Sequence, residues 1–249
     1  MTAQIIFYDI ASTKPLTTWS GNTWKTRYAL NYKGIPYKTV WVDYSEIELR
    51  SKEVGASPTR KKPDGSPNWT LPMIHDLSTG AVVADSTKIA AYLDATYPDT
   101  PRLLPPGTLG LFRGFEAAVL SLLNGTLYQY IIPGSCKLLQ PSGQAALRRK
   151  REAMFGKRME DVTPRGEDDV IEWKKVKDVF GTMDDWIKMN GEGNAFMMGD
   201  TPCYIDLWMA AYGQWVKQTV PEKWEDMKLW HGGRWAMLLR NFEKYETVL

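Results

Sequence analysis

Apolar and polar positions alternate in two different rhythms along the 249-residue chain. Up to about residue 98, short apolar runs interleave with helical patterns. Residues 4–8 read as a buried strand, and residues 24–33 as a helix with Gly34 past its end and Pro36 beyond. Residues 37–42, rich in β-branched and aromatic side chains, return to strand and complete a β-α-β unit. Residues 45–70 are charged and carry Pro and Gly, which predicts a weak helix near 47–54 followed by a long loop. Two short strands at 71–75 and 81–84, joined across Leu77-Ser78-Thr79-Gly80, give a hairpin signal. The helix at 86–97 gathers Ile89, Tyr92, Leu93 and Tyr97 on one face and begins after Asp85, a good capping residue. The order is therefore β-α-β, loop, β-β-α.

Beyond residue 108 the pattern is helical throughout, with helices predicted at 108–130, 142–161, 167–190, 203–219 and 232–246. The third is the clearest, because Val176, Val179, Phe180, Met183 and Ile187 recur on one face of a 3.6-residue period. Trp173 and Trp186 lie off that stripe and are expected to face a neighbouring helix or another subunit. Between the two rhythms, Pro98, Pro101, Pro105, Pro106 and Gly107 forbid regular helix or central strand. The chain divides into an α/β domain at 1–98, a linker at 99–107 and an all-α domain at 108–249.

Charge narrows the function classes. Lys plus Arg number 31 against 29 Asp plus Glu, so the net charge of +2 provides no dominant basic footprint for nucleic acid or membrane. The most apolar run, 117–123, falls far short of the roughly 20 residues that span a bilayer. The N-terminus lacks a signal-peptide pattern, which points to a cytoplasmic protein. Two cysteines, Cys136 and Cys203, cannot build a disulfide framework or a four-thiolate metal site. His75 and His231 have no ligand at metal spacing, no Gly-x-Ser-x-Gly elbow exists, and no metal is expected. Gly191 and Gly193 begin a dinucleotide fingerprint, but Phe196 stands where its third glycine belongs. Of the 30 aromatics, eleven of them tryptophan, most belong to the core, and the rest suit a pocket for aromatic ligands.

The element order of the first domain is that of a thioredoxin-like fold, in which the loop after the first strand brings the reactive group to the N-terminus of the first helix. Here that loop runs from Thr17 to Trp24 without a Cys-x-x-Cys pair, so the chain itself cannot exchange disulfides. What stands there is a hydroxyl, Ser20, which suits holding another molecule's thiolate. Ser20 also fits the blander part of an ordinary N-cap, Asp85 and Ser86 that of helix capping, and Pro72 that of a strand-entry proline.

The run Trp19-Ser20-Gly21-Asn22-Thr23-Trp24-Lys25-Thr26-Arg27-Tyr28-Ala29-Leu30-Asn31-Tyr32-Lys33-Gly34 resembles the serine-type cytosolic glutathione transferases, above all the bacterial glutathione-dependent β-etherases and the fungal-specific A class. Ser20 matches the family's catalytic serine, Leu71-Pro72 its cis-proline step, Asp85-Ser86 its acidic residue plus serine, and the segment from Gly199 to Asp206 its second-domain motif. The resemblance implies a thioredoxin-like domain followed by an all-helical one, glutathione as co-substrate, and conjugation or reduction of hydrophobic, aromatic compounds in detoxification. It implies that Ser20 donates to the glutathione thiolate and that Asn22, Leu71, Pro72, Asp85 and Ser86 bind the tripeptide. Phe112, Phe115, Tyr128, Trp208, Tyr212 and Trp215 are candidates for the hydrophobic-substrate site. Lys52, Lys61 and Lys62 are candidates for the glycyl carboxylate. A homodimer is the usual state of such proteins. The alternatives are a ligandin that sequesters phenolic compounds with little turnover, and a β-etherase. Two departures from the family pattern stand out: Cys203 occupies a helix-capping position where a thiol caps poorly, and Gly21 replaces a proline of many relatives, which is expected to loosen the loop carrying Ser20.

Overall fold

The computed structural model describes residues 4–249 apart from residue 192. β1 (Ile5–Ile10), α1 (Gly21–Lys33) and β2 (Tyr37–Val42) form the expected β-α-β unit, with β1 and β2 parallel and Ile5 opposite Tyr37. A 3-10 turn at Tyr44–Glu46 leads into α2 (Ile47–Glu53). The stretch expected to be a loop contains a two-stranded antiparallel ribbon of β3 (Arg60–Lys61) and β4 (Pro67–Asn68), too short to leave any periodicity in the sequence. β5 (Met73–Asp76) and β6 (Val82–Ala84) follow as a hairpin, and α3 (Ser86–Thr96) closes the unit. The mixed sheet runs β2-β1-β5-β6. β1 is central and covered on both faces, which is why Ile5, Phe7, Tyr8 and Ile10 read as continuously apolar rather than alternating.

The second half is all helix: α4 (Leu109–Thr126), α5 (Tyr128–Cys136), α6 (Pro141–Phe155), α7 (Glu167–Lys188), α8 (Tyr204–Thr219), α9 (Pro221–Met227) and α10 (Trp230–Phe242). The helix expected at 108–130 divides at Leu127 and continues to Cys136 through Pro133. The helix expected at 232–246 is regular only from Arg234, because His231, Gly232 and Gly233 all have positive φ. α8 is buried along almost its whole length, so the other helices pack around it and it needs no polar face. Its start is secure despite the thiol at Cys203. Asp206 accepts the Cys203 N–H at 2.8 Å and the Met197 N–H at 2.7 Å, so the capping box closes.

The proline-rich segment is docked rather than slack. Lys33, at the end of α1, pairs with Asp94 of α3 at 2.8 Å and donates to the Pro101 carbonyl at 3.1 Å. Asp94 in turn accepts the N–H groups of Leu103 at 3.0 Å and Leu104 at 2.8 Å. Leu103 then accepts the Tyr204 N–H at 2.8 Å, so one buried carboxylate ties α1 and α3 to the start of α8. Trp173 donates to Asp226 at 2.7 Å and packs on Tyr130 and Trp230, and Trp186 meets Phe115 edge-on. Both tryptophans therefore face partners in their own chain.

Candidate functional site

Ser20 is held from behind by a buried charge pair. Asp9 of β1 and Arg27 of α1 meet at 2.8 Å with neither side chain exposed. The Asp9 oxygen that takes Arg27 also accepts the Thr18 hydroxyl at 2.8 Å. Arg27 Nη1 donates to the Tyr37 hydroxyl at 3.0 Å and to Thr39 at 3.3 Å, which fixes the guanidinium between strand and helix, while its buried Nε has no partner among the described residues. Trp24 donates to the Thr18 carbonyl at 3.3 Å. The loop is thus stapled two residues before Ser20, the N-cap of α1. The Ser20 backbone carbonyl accepts from Trp24 at 2.9 Å, while its hydroxyl caps nothing and takes no partner among the described residues. That side chain sits at the positive end of the helix with its donor unspent.

Gly21 does not loosen this loop. A Cβ there would meet Trp215 Cε3 at 2.6 Å and the Ala211 carbonyl oxygen at 3.1 Å, so α1 approaches α8 by way of the missing side chain. The expectation drawn from the absent proline is corrected by packing.

The Leu71-Pro72 bond is cis. The pairing of Tyr8 with Met73 places Leu71 level with the end of β1, where the chain turns toward Ser20. The Leu71 N–H and C=O take no partner among the described residues, while the Pro72 carbonyl accepts the Asp85 N–H at 3.3 Å. Asp85 has φ of 84°, a conformation uncommon outside glycine. One of its oxygens accepts the N–H groups of Thr87 at 3.1 Å and Lys88 at 3.0 Å and pairs with Arg113 at 3.2 Å. Its other oxygen is unengaged among the described residues. Ser86 opens α3, and the buried Tyr204 hydroxyl lies beside Ser86 and Thr87.

Three charged residues at this place have no signal in the sequence. Lys25 is 2 % exposed. Its ammonium donates to Asn22 Oδ1 at 3.1 Å and stands 4.8 Å from the Trp208 ring and 5.2 Å from that of Tyr212. Burial pulls its pKa down to about 8, against the opposing fields of Glu116 and Asp85. Arg113 links Asp85 to Glu116, which it meets at 2.8 Å, and Trp208 donates toward the same Glu116 carboxylate at 3.4 Å. α1 is buried almost all round, so its periodicity gives no hint which lysine lies inside.

The six aromatic candidates come together as one run. Phe115 meets Trp208 at 5.5 Å, Trp208 stacks on Tyr212 at 4.2 Å, Tyr212 meets Trp215 at 5.7 Å, and Trp215 meets Tyr128 at 5.9 Å. Phe112 packs on Tyr204 at 4.9 Å. Burial divides them: Phe112, Trp208, Tyr212 and Trp215 form an inner wall, whereas Phe115 and Tyr128 are half-buried and retain surface a ligand can touch. Of the lysine candidates, Lys52 is paired with Glu48 at 2.7 Å, Lys62 stands 4.0 Å from the same carboxylate, and Lys61 is exposed on β3. No group of three or more metal-ligating side chains occurs among the described residues.

Comparison with known proteins covers the whole of this arrangement. The family model for the glutathione S-transferase N-terminal domain matches residues 19–96, and that for the C-terminal domain matches residues 110–245. A glutathione S-transferase-like protein of Aspergillus flavus, ustS, is 32% identical over 258 residues, covering 90% of this chain and 88% of its own. A glutathione S-transferase of Ceriporiopsis subvermispora, solved in complex with glutathione, is 42% identical with a TM-score of 0.94 over 98% of both chains. Glutathione transferase GSTFuA3 of Phanerochaete chrysosporium is 39% identical with a TM-score of 0.89, also over 98% of both chains.

Proposed function

Because the chain belongs to the glutathione S-transferase family and is a glutathione transferase by fold and kinship, we propose that Ser20 holds the co-substrate sulfur as thiolate for transfer to hydrophobic, aromatic acceptors. The observation that carries this reading is the unspent Ser20 hydroxyl at the N-terminus of α1. A free thiol with a pKa of about 8.5 is only a few per cent ionised at neutral pH. Lowering that pKa by roughly two units takes about 2.7 kcal/mol. A hydrogen bond to a charged acceptor supplies about 1.5 to 3 kcal/mol, and a helix N-terminus roughly 0.3 to 1 more. The two together, about 1.8 to 4 kcal/mol, span that requirement without a general base. Ser20 donates, the thiol proton leaves to solvent, and the sulfur lone pair forms the new S–C bond as the acceptor's leaving group departs with the electron pair of the bond it gives up.

The other contacts follow from unspent groups. The Leu71 N–H and C=O, next to Pro72, pair with the cysteinyl backbone as an added strand would. The free oxygen of Asp85 faces the γ-glutamyl ammonium, and Ser86 with the first turn of α3 receives the carboxylate. Asn22, whose carbonyl oxygen is turned to Lys25, keeps its NH2 donors for the tripeptide. The acceptor lies against Phe115 and Tyr128, backed by Trp208, Tyr212 and Trp215. The domain boundaries of the reading are 1–98, 99–107 and 108–249, and its setting is the cytoplasm. α4 leaves Leu109, Leu111 and Leu122 exposed, which supports a homodimer through that helix, checked by sedimentation at several concentrations.

Ser20→Ala tests the reading. Turnover of a model electrophile falls roughly ten- to a hundredfold, as expected for losing one hydrogen bond to a charged sulfur, while glutathione affinity stays nearly constant. Unchanged turnover would remove Ser20 from the mechanism. A second reading, a ligandin for phenolic compounds, is favoured by the continuous aromatic run. Tight phenol binding with no turnover of any electrophile would select it.

A further inference from the structure

Three cations stand together where the aromatic run ends. Arg60 of β3 pairs across the ribbon with Asn68 of β4, so the two side chains share a face. Asn68 is 5 % exposed, and its Oδ1 accepts the Lys150 ammonium from α6 at 3.3 Å. Arg151, the next residue of α6, lies with its guanidinium carbon 5.9 Å from the centre of the Tyr128 ring, and its Nε is buried without a hydrogen-bond partner. α6 is anchored on this side by Ser142, which donates to Asp43 at 3.0 Å. Arg60, Lys150 and Arg151 form no ion pair among the described residues, because the acidic groups of these elements are spent elsewhere. Glu48 serves Lys52 and Lys62, and Glu152 and Glu160 serve Arg148.

Such a group of like charges is unfavourable in itself. The pKa of Lys150 is lowered to about 8, first by burial and then by Arg151, Arg60 and Lys62. A bound anion removes that repulsion, and a planar guanidinium that no carboxylate of the described residues engages is suited to a planar carboxylate. The place of the group decides what the anion belongs to. Tyr128 adjoins Trp215, and Trp215 packs on Gly21 beside Ser20.

We propose that Arg60, Lys150 and Arg151 form an anion subsite at the Tyr128 end of the aromatic run, and that the acceptors this protein favours are aromatic compounds bearing a carboxylate. The proposal rests on the transferase reading and adds its substrate class. The glycyl end of glutathione carries the same chemical group, so the test must separate the two sources.

Calorimetric titration of the full-length protein, saturated with S-methylglutathione, uses naphthalene-2-carboxylate and its uncharged isostere naphthalene-2-carboxamide as probes. The wild type binds the carboxylate roughly tenfold tighter than the amide, as a charge-assisted pair provides. In Arg151→Gln and Arg60→Gln, which come from different domains and are each checked for unchanged thermal midpoint, the preference drops below about threefold while affinity for reduced glutathione keeps its wild-type value. Equal binding of the two probes by the wild type overturns the proposal, as does a preference retained in both variants. Weakened glutathione binding with the probe preference intact assigns the cations to the glycyl carboxylate and overturns it too. Failure of the wild type to bind reduced glutathione would instead strike the transferase reading, so the two failures are distinct.

Discussion

Gly21 and Trp215 are in direct contact across the junction of the two halves, with room for hydrogen but not for a methyl group at position 21. The contact sits one residue after Ser20, so packing of the second half sets the position of the proposed sulfur donor. Gly21→Ala must displace the tryptophan or the N-terminus of α1, costing about 1 to 3 kcal/mol as over-packed cores do. The expected result is a lowered urea midpoint together with reduced turnover. A variant with wild-type stability and rate would show that the helices separate freely here.

Asp9 and Arg27 place a charge pair in the core. Asp9→Ala leaves the guanidinium buried without its carboxylate and frees Thr18, and breaking a pair of this kind costs about 3 to 5 kcal/mol. Denaturant unfolding measures the loss directly. A change near zero would mean that water reaches Arg27 in the variant.

Lys25 makes stability depend on pH with a definite sign. Its pKa of about 8 in the folded protein lies below the ordinary value of 10.5, so between these limits the unfolded chain binds more protons. The burden of burying this ammonium is therefore full below pH 8 and fades as pH rises through 10.5. Lys25→Met should raise the thermal midpoint at neutral pH, with the gain shrinking across that window. A difference independent of pH would place the ammonium in water.

The two thiols should be silent in the native protein. Burial, then the neighbouring Asp206, pushes Cys203 up to about 12, and burial raises Cys136 as well. Neither forms a thiolate near neutral pH, so a chromogenic disulfide reagent should titrate both only after unfolding. Fast reaction of either thiol in the folded state would contradict this burial.

Local chemistry was legible in the sequence. Gly34 ends α1 with φ of 67°, Asp85 caps α3, and the Val176, Val179, Phe180, Met183 and Ile187 stripe lies buried in α7. The resemblance to the glutathione transferases singles out Ser20, Leu71-Pro72 and Asp85-Ser86, each a short run whose backbone chemistry is local. Two-residue strands such as β3 and β4 leave no periodicity, and Leu127, where the long helix divides, keeps helical φ and ψ, so no turn residue marks the division. Close packing is equally silent in the sequence: Gly134 of α5 lies so close to the Thr219 carbonyl that a Cβ would be 2.3 Å from its oxygen.

The chain by itself determined the order of the main elements in the first half and the ends of α1 and α3 at Gly34 and Asp85, since hydrogen-bond periodicity and capping act over a few residues. Only the tertiary structure decided which charges are buried and which aromatics remain open. Lys25 became an interior ammonium because Trp208 and Tyr212, far away in sequence, cover it, and Arg60 joined Lys150 and Arg151 because a ribbon and a helix from opposite halves meet at Asn68. Burial and electrostatic fields are sums over all neighbours in space, and no local pattern encodes them.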